Sequence, residues 1–242
     1  MTVTLITGAN KSLGFQTARE LVAQGHIVYV GARDPEKGRR AADELGAKAV
    51  QLDVTDADSI RAAAEQLQRE QGRLDVLVNN AGIPGHVNSA GVPGHPSTAT
   101  ELTAETLREV FETNVFGAAQ VLHEFLPLLT KSDHPVVVNV SSGLGSIAAV
   151  PRGEERAIPS WIPVPGYAAS KAALNMLTAQ FAYLLPDLRI NTVDPGYTAT
   201  DFNGHRGTQT VEEGAAIIVQ AATVGKDGPT GQFLSVHGPV AW

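Results

Sequence analysis

The feature that most limits the folds open to this chain is a repeated alternation of two hydrophobic patterns. Short runs rich in Val, Ile and Leu recur at residues 3–7, 26–31, 47–52, 74–79, 135–141, 188–193 and 232–236. They show little polar alternation, as expected of strands covered on both faces of a parallel sheet. Between them the apolar residues fall at helical spacing: Phe15, Ala18, Leu21 and Val22; Ile60, Ala63, Ala64 and Leu67; Leu107, Val110 and Phe111, continued over 115–129; Leu174, Leu177 and Phe181; and the segment 211–223. Strands alternating with helices imply a doubly wound α/β sheet of seven parallel strands, with helices on both faces. No stretch reads as an interdomain linker and no segment repeats, so residues 1–242 are expected to form a single domain.

Composition narrows the function. The net charge of −7, with no basic cluster, argues against a nucleic-acid or membrane surface. The absence of cysteine excludes disulfides and thiolate metal sites and fits a reducing compartment. Residues 1–6 run straight into a glycine-spaced turn without the basic start or apolar core of a signal peptide, and no apolar stretch approaches membrane-spanning length. The expectation is a cytoplasmic protein whose partner is a small molecule.

That turn reads Thr7-Gly8-Ala9-Asn10-Lys11-Ser12-Leu13-Gly14. A dinucleotide-binding loop needs a tight turn after the first strand, close backbone approach to a pyrophosphate, and close helix–strand packing. Gly8 and Gly14 suit the first and third needs, and the helix N-terminus offers free N–H groups. Ser12 stands where a middle glycine is usual. Serine is small and favoured at helix starts, so it is expected to keep the site functional with a negative φ. A phosphate-binding P-loop matches poorly, because Lys11-Ser12 follows Asn10 rather than glycine.

The second apolar run leads into Ala32-Arg33-Asp34-Pro35. A carboxylate here holds the ribose 2′-OH of NAD, whereas a 2′-phosphate needs a cation. Arg33 supplies one cation and Lys11 a second. Asp34 precedes a proline and reads as a helix N-cap instead. The balance points to NADP(H) over NAD(H).

Tyr167 and Lys171 are four residues apart at the start of a helical pattern, hence on one face. An ammonium near a phenol stabilises the phenolate and lowers its pKa, so the pair is a plausible proton relay.

Taken with Asp53-Val54, Asn79-Asn80-Ala81-Gly82, Asn114, Ser141-Ser142 and Asp194-Pro195-Gly196, all in order along the chain, these motifs resemble the short-chain dehydrogenase/reductase family over essentially the whole length. The resemblance implies a Rossmann fold and the reduction of a ketone or aldehyde to an alcohol with NADPH. It makes Tyr167 the general acid/base, and gives Lys171 the tuning of Tyr167 and a hold on the nicotinamide ribose. Ser142 becomes the partner of the substrate oxygen, and Asn114 the support of a water-linked proton path. It sends Gly8, Asn10, Lys11, Ser12, Leu13, Gly14, Arg33, Asp53, Val54, Asn80, Ala81, Gly82, Pro195, Gly196 and Thr198 to the cofactor, together with Tyr167 and Lys171.

The stretch 143–166 between Ser142 and Tyr167 is long, and this resembles the carbonyl-reductase-like branch. There a longer insert blocks the usual tetramer in some members, so monomer, dimer and tetramer all stay open. Residues 198–210 resemble the family's substrate loop; Phe202 and Trp161 are candidate apolar walls. His86 and His95 have no metal-ligand spacing, and no metal site is expected. A redox sensor that binds NADP(H) without turnover is the competing class, although the full Asn114, Ser142, Tyr167 and Lys171 set favours an enzyme. Hydroxysteroid or ketoacyl reduction remains open within the family.

Overall fold

The computed structural model describes residues 1–85, 102–150 and 163–242. His86, His95, Trp161 and much of the 143–166 insert lie outside them. The elements in chain order are β1 (Val3–Thr7), α1 (Ser12–Ala23), β2 (Ile27–Ala32), α2 (Pro35–Leu45), β3 (Lys48–Gln51), α3 (Ala57–Glu70), β4 (Val76–Asn79) and α4 (Ala104–Phe111). They continue with α5 (Ala118–Leu129), β5 (Val136–Val140), α6 (Pro165–Leu184), β6 (Arg189–Val193), α7 (Val211–Ala222), β7 (Phe233–Ser235) and β8 (Gly238–Pro239).

All strands join one sheet in the order β3-β2-β1-β4-β5-β6-β7-β8. The first seven are parallel, as the continuous apolar runs predicted. The sheet departs from the expected seven strands by the two-residue β8, which pairs antiparallel with β7 through Leu234↔Pro239 and Ser235↔Gly238. So short an edge segment carries no periodic signal in sequence.

Helices cover both faces. Against one face Ile60 and Leu67 of α3 and Val121, Phe125 and Leu129 of α5 pack on Leu5, Leu77, Val137 and Ile190. Against the other, Ala18 and Leu21 of α1, Ala41 of α2 and Ile217, Ile218 and Ala221 of α7 pack on Ile6, Val30, Val78 and Val138. Successive residues of β1, Leu5 and Ile6, thus serve opposite cores, which is why the strands look apolar throughout. No helix among the described residues is long and apolar enough to cross a membrane.

The site follows from this order. β1 lies between β2 and β4, so the strand order reverses there, and the segments leaving β1 and β4 open a crevice at the strand C-termini.

Candidate active site

The glycine-spaced turn closes tightly on the segment after β4. Gly8 has φ +64, and a Cβ there would stand 3.1 Å from Ala81 Cα. A Cβ on Gly14 would come within 2.8 Å of Gly8 O. Asn80 staples the two segments: its Nδ2 donates to Thr7 O at 2.8 Å and Gly8 O at 3.2 Å. Thr7 Oγ1 accepts from the Asn80 and Ala81 amides, both at 3.0 Å.

Helix α1 starts without a side-chain cap. The first backbone bond into it runs from the Phe15 amide to Lys11 O. The amides of Ser12, Leu13 and Gly14 have no partner among the described residues, and unpaired donors at a helix N-terminus suit a pyrophosphate. Ser12 contradicts the expected negative φ: it sits at φ +52. The turn itself demands the left-handed conformation to bring β1 into α1, and the serine accepts it at a steric cost glycine would avoid.

At the end of β2, Arg33 is exposed and makes no ion pair or hydrogen bond among the described residues. Asp34 does what its place before Pro35 predicts. Its carboxylate caps α2, accepting from the Glu36 amide at 3.0 Å and the Lys37 amide at 3.2 Å, and those bonds hold its pKa below the usual value. Lys11 is not free: its Nζ lies 2.9 Å from Asp201 Oδ2. Asp53 accepts from the Thr55 amide and hydroxyl, so it shapes the turn before α3 while also facing the cleft.

The candidate catalytic side chains converge from three elements. Tyr167 and Lys171 lie one turn apart on α6, with the Lys171 ammonium 5.6 Å from the Tyr167 ring centroid. Lys171 is 4 % exposed and donates to Val140 O at 2.8 Å. The geometry separates the two serines after β5. Ser141 is buried with its hydroxyl toward Lys171 O. Ser142 is half-buried, caps the turn Gly143–Gly145 through the Leu144 amide, and lines the cleft beside Tyr167.

Asn114 lies in a π-helical turn, Glu112–Gly117, joining α4 to α5. Such wide turns break the regular ladder and often mark functional positions. Its amide group bridges Ile83 N–H at 2.8 Å and Ile83 O at 2.9 Å, and also donates to Ser170 Oγ. It stands just behind the cleft wall.

Burial pushes the Tyr167 phenol above its ordinary range, with the Asp194 carboxylate adding to the rise and the Ser142 hydroxyl opposing it. The expected lowering by Lys171 is therefore not what governs this pocket. Lys171 is itself desolvated, down to about 8; a low-dielectric cleft favours the neutral form of both groups.

Beyond β6, Gly196 turns with φ +74. The Gln209 amide closes the 198–210 segment on itself, donating to Pro195 O and to Thr198 Oγ1. Phe202 sets its ring edge-on against Tyr167, centroids 5.5 Å apart and planes at 62°, an attractive arrangement for aromatic rings.

One cavity of about 650 Å³ joins these parts. Every residue expected at the cofactor lines it, from Gly8 to Thr198, as do Ser142, Tyr167 and Lys171. Reading the sequence missed Asp201 and Arg206 on the cavity wall, and Gln209 behind it. The polarity of 198–210 was the available signal; the turn that aims these side chains inward has no pattern of its own. The residues present fit a dinucleotide phosphate, given three α1 amides and an Arg33 that have no partner among the described residues.

Fold and site together define a Rossmann-type α/β protein with one cleft lined both by the glycine turn and by Tyr167, Lys171 and Ser142. The chain belongs to the short chain dehydrogenase family, whose model matches residues 2–210. It is 40% identical over 233 residues to the short-chain dehydrogenase anuI of Penicillium roqueforti, covering 91% of this chain and 88% of the relative. It is 32% identical over 281 residues to a (+)-neomenthol dehydrogenase of Arabidopsis thaliana, covering 96% and 95%. Among solved structures it is similar to NADPH-bound carbonyl reductase from chicken fatty liver, with a TM-score of 0.83, 28% identity and full coverage of both chains.

Proposed function

We propose that this protein is an NADPH-dependent oxidoreductase that reduces a ketone or aldehyde to an alcohol, reversibly, as one catalytic unit over residues 1–242. The observation that carries the reading is the single cavity shared by the uncapped start of α1 and by Tyr167, Ser142 and Lys171. The matched carbonyl reductase and neomenthol dehydrogenase support the same reaction class.

When bound, NADPH supplies the hydride. The amides of Ser12, Leu13 and Gly14 would hold its pyrophosphate, and Arg33 would hold the 2′-phosphate. Asp53 and Val54 would lie at the adenine; Asn80, Ala81 and Gly82 line the cleft; Pro195, Gly196 and Thr198 would flank the nicotinamide. Ser142 and Tyr167 donate to the substrate oxygen, where charge develops in the transition state. Tyr167 then gives up its proton, and its raised pKa keeps it protonated at neutral pH, the form reduction needs. Lys171 binds the nicotinamide ribose and offsets charge on the phenolate. Asn114 anchors residue 83 and supports proton return toward Lys171. The cysteine-free composition supports a cytoplasmic setting.

The test is NADPH consumption by the purified protein against a panel of ketones and aldehydes, with NADH in parallel. Turnover with at least one carbonyl, faster with NADPH, is expected; NADPH binding without turnover on any of them would overturn the reading.

A further inference from the structure

We propose that Asp201 is a positioning residue that competes with the 2′-phosphate of NADPH for Lys11, and so couples cofactor binding to the turn bearing Phe202. The inference rests on the NADPH reading above.

The Lys11–Asp201 pair joins the glycine turn to a segment 190 residues away in sequence, at 2.9 Å. Both residues line the one cavity. Asp201 opens the short turn Asp201–Asn203, which is closed by the Asn203 amide on Thr200 O and by the Thr200 amide on Asn203 Oδ1. Asn203 Nδ2 also donates to Thr198 O at 2.8 Å. The next residue, Phe202, is the one packed on Tyr167. A three-residue unit therefore touches both the glycine turn and the catalytic phenol.

The pair is built to be exchanged. Its side chains are 61% and 53% exposed, and such pairs are weak. Lysine is a point charge on a flexible stem, and a phosphate dianion offers it more charge than one carboxylate. Asp201 keeps a second contact when Lys11 leaves, because its Oδ1 lies 2.9 Å from His205 Nε2. NADPH must break the Lys11–Asp201 pair to gain the lysine, while NADH, which lacks the 2′-phosphate, leaves the pair in place.

The experiment measures NADPH and NADH dissociation constants by cofactor fluorescence for the full chain, Asp201→Ala and Asp201→Glu, with carbonyl KM alongside. In Asp201→Ala the NADPH constant is expected to fall about two- to fivefold, the scale of an exposed ion pair, while the NADH constant stays put. The carbonyl KM at saturating NADPH stays near wild type, because bound NADPH has already released the tie, and Asp201→Glu restores the NADPH constant toward wild type. A merely structural defect weakens both cofactors and cannot tighten one. Equal changes in both constants, or none, would overturn the proposal. Because binding is read without turnover, a wild-type protein that binds NADPH but reduces nothing refutes the reductase reading while the clasp is still judged on its own.

Discussion

At residue scale the most informative position is Ser12. A left-handed backbone on a non-glycine residue costs about 1–2 kcal/mol, and Ser12 has φ +52. Ser12→Gly is expected to stabilise the protein by about 1 kcal/mol in denaturant unfolding, with NADPH affinity preserved. That this position stands where a glycine is usual was legible from spacing. The sign of φ was not, because the strand-to-helix turn sets it rather than the preference of serine. The neighbouring β2 end offers a paired contrast. Arg33→Ala should weaken NADPH about tenfold, as loss of a charge-assisted phosphate contact does, and spare NADH. Asp34→Ala should cost about 1 kcal/mol of stability through the lost cap and leave cofactor choice alone, as equilibrium binding and thermal melts would report. The cap at Asp34 was readable from Asp-Pro. The partner of Lys11 was not, since nothing in sequence brings residue 201 to residue 11.

At the scale of elements the π-helical turn Glu112–Gly117 shows where periodicity stops informing. The apolar residues of 107–129 predicted continuing helix, and the structure sets a wider turn within it. One extra residue per turn shifts the face without altering composition. Its product is Asn114, which is 1% exposed and satisfies both backbone groups of Ile83. Asn114→Ala strands those groups, at about 1–3 kcal/mol each where buried. The expected outcome is a lower melting temperature together with reduced turnover. Elements α1, α3 and β1 to β6 were plain in sequence because continuous apolar runs and helical stripes mark both faces of a covered sheet, whereas α2 was signalled only by its Asp34-Pro35 cap. The two-residue β8 was not, being too short to have a period.

At the scale of the whole molecule, stability and catalysis meet in the buried Lys171. Burial lowers its pKa to about 8 from 10.5, so the folded state binds its proton less readily than the unfolded chain. The group therefore opposes folding fully below pH 8, and the penalty fades as pH rises from about 8 toward 10.5. Lys171→Met should gain stability relative to wild type at pH 7, with the gain shrinking by pH 10, in parallel unfolding titrations; its turnover should be lost. The raised phenol gives a matching kinetic sign. Alcohol oxidation needs the phenolate and should accelerate with alkaline pH, whereas ketone reduction should not. The central claim is proton donation by Tyr167 in an NADPH-dependent reduction. Its most direct measurement is carbonyl-dependent NADPH oxidation by Tyr167→Phe beside wild type, with NADPH binding measured on the same samples. The account predicts retained NADPH binding and a rate reduced at least about a hundredfold, the range of a lost general acid; a Tyr167→Phe protein that reduces the same carbonyl at the wild-type rate would contradict it.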